Sequence, residues 1–376
     1  MKKIKILELF GGIGACSSAL TRLGIEYEIA DYVEIDKYAV KSYNAIHGTN
    51  FESQDITSWD KNIEVDLIMH GSPCQDFSLA GKQAGGDKDS GTRSSLMYET
   101  IRIVEKLKPK YVIWENVKNL LSKKHIHNFD AYLEAMEQLG YRNYYQVLNA
   151  KDYGIPQNRE RVFTVSILSN ENFEFPKGVE NTNKIIEHNP KGKHQQDLIQ
   201  DEDGLCRCIP AGTHGSTPHL LKTLVRNYEF PPKQELKLKL KDILEKEVDE
   251  KYYLTESNIK TINRNFGAKG KVLNLDEFSL IEKMTYPSRI NQKINETICP
   301  TLVSAMGTGG GNVPVINKKN DRIRKLTPCE VWRLMGFDDE DFEKAAKVNS
   351  NTQLYKQAGN SICVPVLENI LKELLK

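Results

Sequence analysis

The sequence predicts an α/β fold with a mostly parallel sheet and a second, smaller domain, and three observations lead there. Short apolar runs alternate with amphipathic stretches from residue 1 to about 168. Several amphipathic stretches close on Gly24, Gly48, Pro109 or Gly140, residues that stop helices. After about residue 170 the chain becomes Asn-, Glu- and Lys-rich with weak periodicity.

Taken in order, the run Ile4 to Glu8 is a strand that leads into glycines and a helix from Ala15 to Leu23, stopped by Gly24. Tyr27 to Val33 is the next strand, and Lys37 to Ile46 its helix, ending before Gly48. Val65 to His70 and Tyr111 to Glu115 are strands separated by a helical pattern from Leu96 to Lys106. A helix from Phe129 to Leu139 precedes strands at Tyr144 to Asn149 and Val162 to Leu168. A last helix, Val364 to Leu374, carries apolar residues at helical spacing. The expected division is 1–175 completed by 350–376 for the larger domain, and 176–349, with the segment RKLTPCE, for the smaller.

Composition narrows the classes. At 376 residues and 42.8 kDa the chain can bury a large core, so it is no disulfide-stapled miniprotein. It is 39% hydrophobic, its mean hydropathy is −0.51, and no apolar run approaches the roughly 18 residues of a membrane span. No export signal is readable, and seven cysteines, an odd number, favour reduced thiols in a cytoplasm. No CxxC or HExxH occurs and Cys206-Arg207-Cys208 lacks partners, so no metal is expected. The net charge is only +1, so a polyanion must be held by local charge. Residues 251–325, beyond the Pro231-Pro232 pair and the charged stretch Lys233 to Lys251, hold about thirteen basic against six acidic side chains.

Three strand ends carry chemistry. The first runs into Phe10-Gly11-Gly12-Ile13-Gly14, where glycines allow a tight turn and close ligand approach beside free helix N–H groups. A dinucleotide fingerprint wants glycine at position 17, which is Ser, while Glu34, 20 residues after Gly14, suits ribose hydroxyls. An adenosine ligand without a pyrophosphate fits this pattern. The strand ending at His70 leads into Gly71-Ser72-Pro73-Cys74-Gln75, which presents a thiol where ligands bind in such sheets. The next ends in Glu115-Asn116-Val117, a carboxyl whose burial would raise its pKa toward a proton donor's, and Gln157-Asn158-Arg159-Glu160-Arg161 opens a later strand.

In these motifs and their order (FGGIG, GSPCQ, ENV, QNRER, RKLTPCE and GNS) the sequence resembles the cytosine-C5 DNA methyltransferases, over most of residues 4–168 and 322–370. The resemblance implies the Rossmann-like class I fold that uses S-adenosylmethionine. It implies Cys74 as nucleophile toward C6 of an extruded cytosine, Glu115 at N3, Arg161 at O2, and Arg159 and Asn116 in support. It places the cofactor on Phe10, Gly12, Gly14, Glu34, Ile35, Asp55, Ile56, Pro73 and Leu96, with Asn360 and Ser361 closing the pocket. The last helix must then fold back onto the first domain. Duplex DNA is the implied partner, a restriction endonuclease of the same specificity a possible second, and a monomer the implied state. A tRNA-modifying relative shares the core, but about 160 residues separate the arginine motif from RKLTPCE, a length that favours a DNA reader. Thr301-Leu302 and Gly309-Gly310-Gly311 resemble elements near the end of the family's target-recognition region, and the glycine-rich loop 85–91 departs from its usual pattern. Two other readings stay open, a binding module on a decayed core and an NAD dehydrogenase.

Overall fold

A computed structural model describes residues 3–73, 93–168, 185–188, 198–200, 228–257, 279–281, 298–299, 301–307, 315–318 and 322–376. Strands β1 (Ile4–Leu9), β2 (Tyr27–Val33), β3 (Leu67–His70), β4 (Tyr111–Val117), β5 (Tyr141–Asn149) and β6 (Glu160–Leu168) form one sheet in the order β2-β1-β3-β4-β6-β5. The first four are parallel; β6 runs antiparallel to both β4 and β5. The C-terminal ends of β1, β3 and β4 therefore share one edge with the start of β6, which lets a residue from a strand's beginning join residues from strands' ends. Helices α1 (Ala15–Arg22), α2 (Lys37–His47), α3 (Met97–Leu107) and α4 (Ile126–Gln138) fill the connections.

The sheet is buried on both faces because its strands alternate between two apolar clusters. Ile6 and Ile113 point into a cluster shared with Leu20 and Leu367, whereas Leu7, Val112 and Trp114 point into one with Phe129 and Tyr132. Expected boundaries shift by a few residues. β5 begins at Tyr141 rather than Tyr144, since a sheet-edge strand tolerates the polar Arg142 and Asn143, and α4 begins at Ile126 rather than Phe129.

The C-terminal part contributes α5 (Pro328–Arg333), α6 (Asp339–Ala346), α7 (Asn351–Asn360) and α8 (Val364–Leu374). As expected, the last helix returns: Leu367, Leu371 and Leu374 share the cluster of Ala15, Ala19 and Leu20, and Arg22 Nε meets Glu368 Oε1 at 2.6 Å. The segment 326–349, expected in the smaller domain, sends apolar residues into this core. Leu326, Val331, Trp332 and Met335 lie in that same cluster, because α5 is too apolar to stand apart from it. Between 185 and 325 the described strands are β7 (Ile185–His188) paired with β8 (Leu198–Gln200), and an antiparallel trio of β9 (Ser279–Ile281), β10 (Val315–Lys318) and β11 (Arg322–Lys325). Among the described residues no helix is long and apolar enough to cross a membrane.

The segment RKLTPCE has a clear structural reason. Thr327 caps α5 in a capping box with Glu330, with Pro328 in the first turn. Glu330 also takes a two-pronged ion pair from Arg324, Nη1 to Oε2 at 2.8 Å and Nη2 to Oε1 at 2.7 Å, both side chains fully buried. Farther on, α7 passes so close to residues 303–304 that a Cβ on Gly359 would lie 2.3 Å from the Val303 carbonyl carbon and 2.4 Å from Ser304 N. Gly359→Ala is therefore expected to destabilise the fold by about 1–3 kcal/mol, seen as a lower thermal midpoint. An unchanged midpoint would refute this contact.

Candidate active site

Beyond β1 the chain turns through three positive φ angles, Phe10 at 53°, Gly12 at 55° and Gly14 at 81°, and enters α1. A Cβ at Gly14 would meet His47 Nε2 at 2.2 Å, whereas one at Gly12 would meet nothing within 4 Å. Gly14 is thus glycine for packing, while Gly12 leaves its backbone open to a ligand. The loop is held from both sides. Tyr32 donates its hydroxyl to Gly12 O at 2.6 Å, and Gly12 N donates to Glu34 Oε2 at 3.1 Å. Beneath it the buried Glu8 carboxylate accepts from the Ser17 hydroxyl and, at 2.9 Å, from the Tyr43 hydroxyl. Burial pushes the Glu8 carboxyl up to about 7 despite these donors.

Glu34 directly follows β2, its other oxygen accepting from Asp36 N at 2.9 Å, and burial holds its pKa above the ordinary value. Gln54 N donates to Glu34 O at 2.9 Å, which docks the next segment, Asp55-Ile56, beside it. Ile56 belongs to an apolar cluster on which Phe10 and Leu96 also pack. Asp55 lies near the surface with Oδ1 taken by Thr57, from N at 2.9 Å and Oγ1 at 2.8 Å. Ile35, beside Glu34, is 69% exposed. Hydrogen bonds thus tie Gly12, Glu34 and Gln54 together beyond β1 and β2, with Ile35 and Asp55 next to them in the chain, while Phe10, Ile56 and Leu96 share one apolar cluster.

At the next strand ends Glu115, on β4, is buried and meets Arg161 Nε, at the start of β6, at 3.0 Å. Burial raises the Glu115 pKa, and the guanidinium groups of Arg161 and Arg159 pull against that shift. Gly71 and Ser72 follow β3 directly alongside: a Cβ on Gly71 would stand 3.9 Å from Glu115 Oε2, and Asn116 Nδ2 donates to Ser72 O at 3.3 Å. Pro73 follows, partly buried. Cys74, the loop 85–91, Cys206, Cys208 and Gly309 to Gly311 lie outside the described residues. Among the described residues no group of three or more His, Cys, Asp or Glu side chains could hold a metal.

A family profile described as C-5 cytosine-specific DNA methylase matches residues 4–376, nearly the whole chain. The chain belongs to this family. The methylase is 32% identical to the type II methyltransferase M2.ScrFI of Lactococcus lactis subsp. cremoris, over 99% of both chains. It is 31% identical to the orphan methyltransferase M.SPBetaI of Bacillus phage SPbeta, over 100% of this chain and 98% of that one. Among solved structures a DNMT2 variant of Spodoptera frugiperda covers 100% of both chains at 20% identity and a TM-score of 0.60, a likeness of fold.

In the methylase the two arginines of QNRER do different work. Arg161 faces Glu115, while Arg159 precedes β6 and is buried, donating Nη1 to Leu302 O at 3.0 Å and Nη2 to Gly359 O at 3.2 Å and Ser361 O at 2.7 Å. It joins Thr301-Leu302 and the GNS segment to the arginine motif, with Asn360 exposed between its two C-terminal acceptors. Gln157, which sequence reasoning gave no role, ties Leu302 to the turn after α5: Nε2 donates to Leu334 O at 2.7 Å and Leu302 N donates to its Oε1 at 3.2 Å. Its place in the QNRER motif was the only signal. Lys356 on α7 meets Asp36 Oδ2 at 2.6 Å, two residues beyond Glu34, so the helix ending at Asn360 also docks beside the glycine loop's partner.

Proposed function

We propose that the protein transfers a methyl group from S-adenosylmethionine to C5 of a cytosine in a short duplex DNA site, with Cys74 as nucleophile. The observation that carries the reading is the buried Glu115–Arg161 pair standing against Gly71-Ser72, three residues before the thiol. Attack on a ring carbon requires the base outside the stack. The Cys74 thiolate adds to C6, Glu115 holds and protonates N3, and Arg161 donates to O2, so that electron density gathers at C5. S-adenosylmethionine, when bound, supplies the electrophilic methyl group. Methyl transfer leaves S-adenosylhomocysteine; loss of the C5 proton to water, return of the N3 proton to Glu115 and cleavage of the C6–S bond then restore the aromatic ring and the thiolate. Asn116 and Arg159 hold the strand ends.

The residues present suit that cofactor. Open space above Gly12 admits a ligand to the backbone, and Glu34 offers carboxylate lone pairs to vicinal ribose hydroxyls. Phe10, Ile35, Ile56, Pro73 and Leu96 offer apolar surface, Asp55 an acceptor for an adenine amino group, and Asn360 with Ser361 would close the pocket. Glu34→Ala is expected to weaken S-adenosylmethionine binding by about 1–3 kcal/mol in calorimetry, the scale of hydrogen bonds to a charged group. Equal affinity would remove Glu34 from the ribose site.

A similar protein named a type II methyltransferase supports a role as the modification partner of an endonuclease, and one named an orphan methyltransferase supports work without one. We favour the modification role, with the enzyme acting in the cytoplasm as a monomer, since one chain supplies every proposed site residue. The test is bisulfite sequencing of DNA from a host without cytosine methylation that expresses the protein. Protected cytosines in one recurring short context are expected, and a genome with none would defeat the DNA substrate.

A further inference from the structure

Ser72 has a second tie besides the one from Asn116. Trp114 Nε1 donates to Ser72 Oγ at 3.0 Å, and both residues are buried, Ser72 at 3% and Trp114 at 1% exposure. Trp114 and Asn116 flank Glu115 on β4, so alternation sends them to one face of the strand and the acid to the other. The indole cannot drift. It lies parallel to the His70 ring at 5.7 Å between centroids, packs on Tyr132 at 4.1 Å, and has Phe129 at 5.8 Å. His70 is fixed in turn by Tyr132, ring nitrogen to hydroxyl at 3.0 Å. A buried indole N–H needs an acceptor, and this stack aims it at one hydroxyl two residues before Cys74.

We infer that Ser72 and Trp114 are a positioning pair for methyl transfer: their hydrogen bond sets the direction in which the chain leaves β3 toward the thiol, relative to the carboxyl between Trp114 and Asn116. The inference rests on the reading of Cys74 as nucleophile. Neither side chain needs to touch the base. A hydroxyl at position 72 together with an indole at 114 ties the residues that lead to the nucleophile to the acid's strand. Displacement of a reacting group by about 1 Å can cost up to about a hundredfold in rate.

The experiment uses the full-length enzyme, tritiated S-adenosylmethionine and genomic DNA from a host without cytosine methylation. Ser72→Ala, Ser72→Thr, Trp114→Phe and the double variant Ser72→Ala/Trp114→Phe are compared with the wild type in kcat, KM for both substrates, and thermal midpoint. Ser72→Ala and Trp114→Phe are each expected to lower kcat by about 10- to 100-fold with KM within about twofold. The double variant should be no slower than the slower single one, because each change removes the same bond. Ser72→Thr, which keeps the hydroxyl, should retain most of the rate. Wild-type kcat in Ser72→Ala, or singles whose effects multiply in the double, would overturn the pair. Loss of rate that Ser72→Thr fails to restore would overturn it too. A parallel Cys74→Ala sample separates the two levels: activity there defeats the nucleophile and this inference with it, whereas strict dependence on Cys74 beside an unimpaired Ser72→Ala defeats the pair alone.

Discussion

Cys74→Ala is expected to hold duplex DNA and S-adenosylmethionine as the wild type does while methyl transfer falls below about one per cent of the wild-type rate, because the reaction needs the thiolate's addition at C6. Cytosine C5 is a poor nucleophile until a thiolate has added next to it. The other described cysteines offer no substitute: Cys16, Cys299, Cys329 and Cys363 are all buried. Burial pushes Cys329 and Cys363 up to about 12, far from the thiolate form at neutral pH. The nearest described hydroxyl in sequence, Ser72, is committed to the Trp114 indole. Filter binding and calorimetry would establish retained affinity, and tritium transfer to DNA the lost chemistry. Turnover above a few per cent would mean that the thiol is not the nucleophile.

Glu330→Ala is expected to be the most damaging change outside the site. It strands the Arg324 guanidinium without its counter-charge in a fully buried position, and it deprives Thr327 N and Glu245 N of the acceptor they now reach at 2.9 and 2.8 Å. Removing one member of such a pair costs about 3–5 kcal/mol, which corresponds to a thermal midpoint lower by roughly 10 °C. Glu330→Gln, which keeps an acceptor for those N–H groups, should lose less. A calorimetric scan that finds Glu330→Ala within a degree or two of the wild type would show that the pair contributes specificity of packing rather than stability.

Much of this was legible in the chain. The apolar runs and their glycine stops give the six strands of the main sheet and the helices α1 to α4 and α8 to within a few residues, because a sheet covered on both faces writes its strands as apolar sequence. By contrast, α5 to α7 and β7 to β11 carry too little periodicity to be named. Glu115 and Arg161 could be named because each ends or begins such a run. What could not be read were contacts across long separations in sequence. Nothing near Ser72 announces Trp114, and nothing near Arg159 announces that it serves the carbonyls of Leu302, Gly359 and Ser361. The packing of residues 326–335 is hidden for a related reason. Their polar surroundings in sequence conceal that Val331, Trp332 and Met335 face a core begun more than 300 residues earlier by Ile6 and Ala15.

The seating of α8 on α1 also fixes an order of events during synthesis. A ribosome adds about 5–20 residues each second, so the apolar face of α1 is made on the order of tens of seconds before Leu367, Leu371 and Leu374 exist to cover it. Through that interval the nascent first half carries one uncovered side of its sheet, open to chaperones and to other unfinished chains. A messenger that stops before residue 364 is expected to yield a polypeptide whose oldest helix never receives its partner. The covered face of the sheet therefore waits for α8.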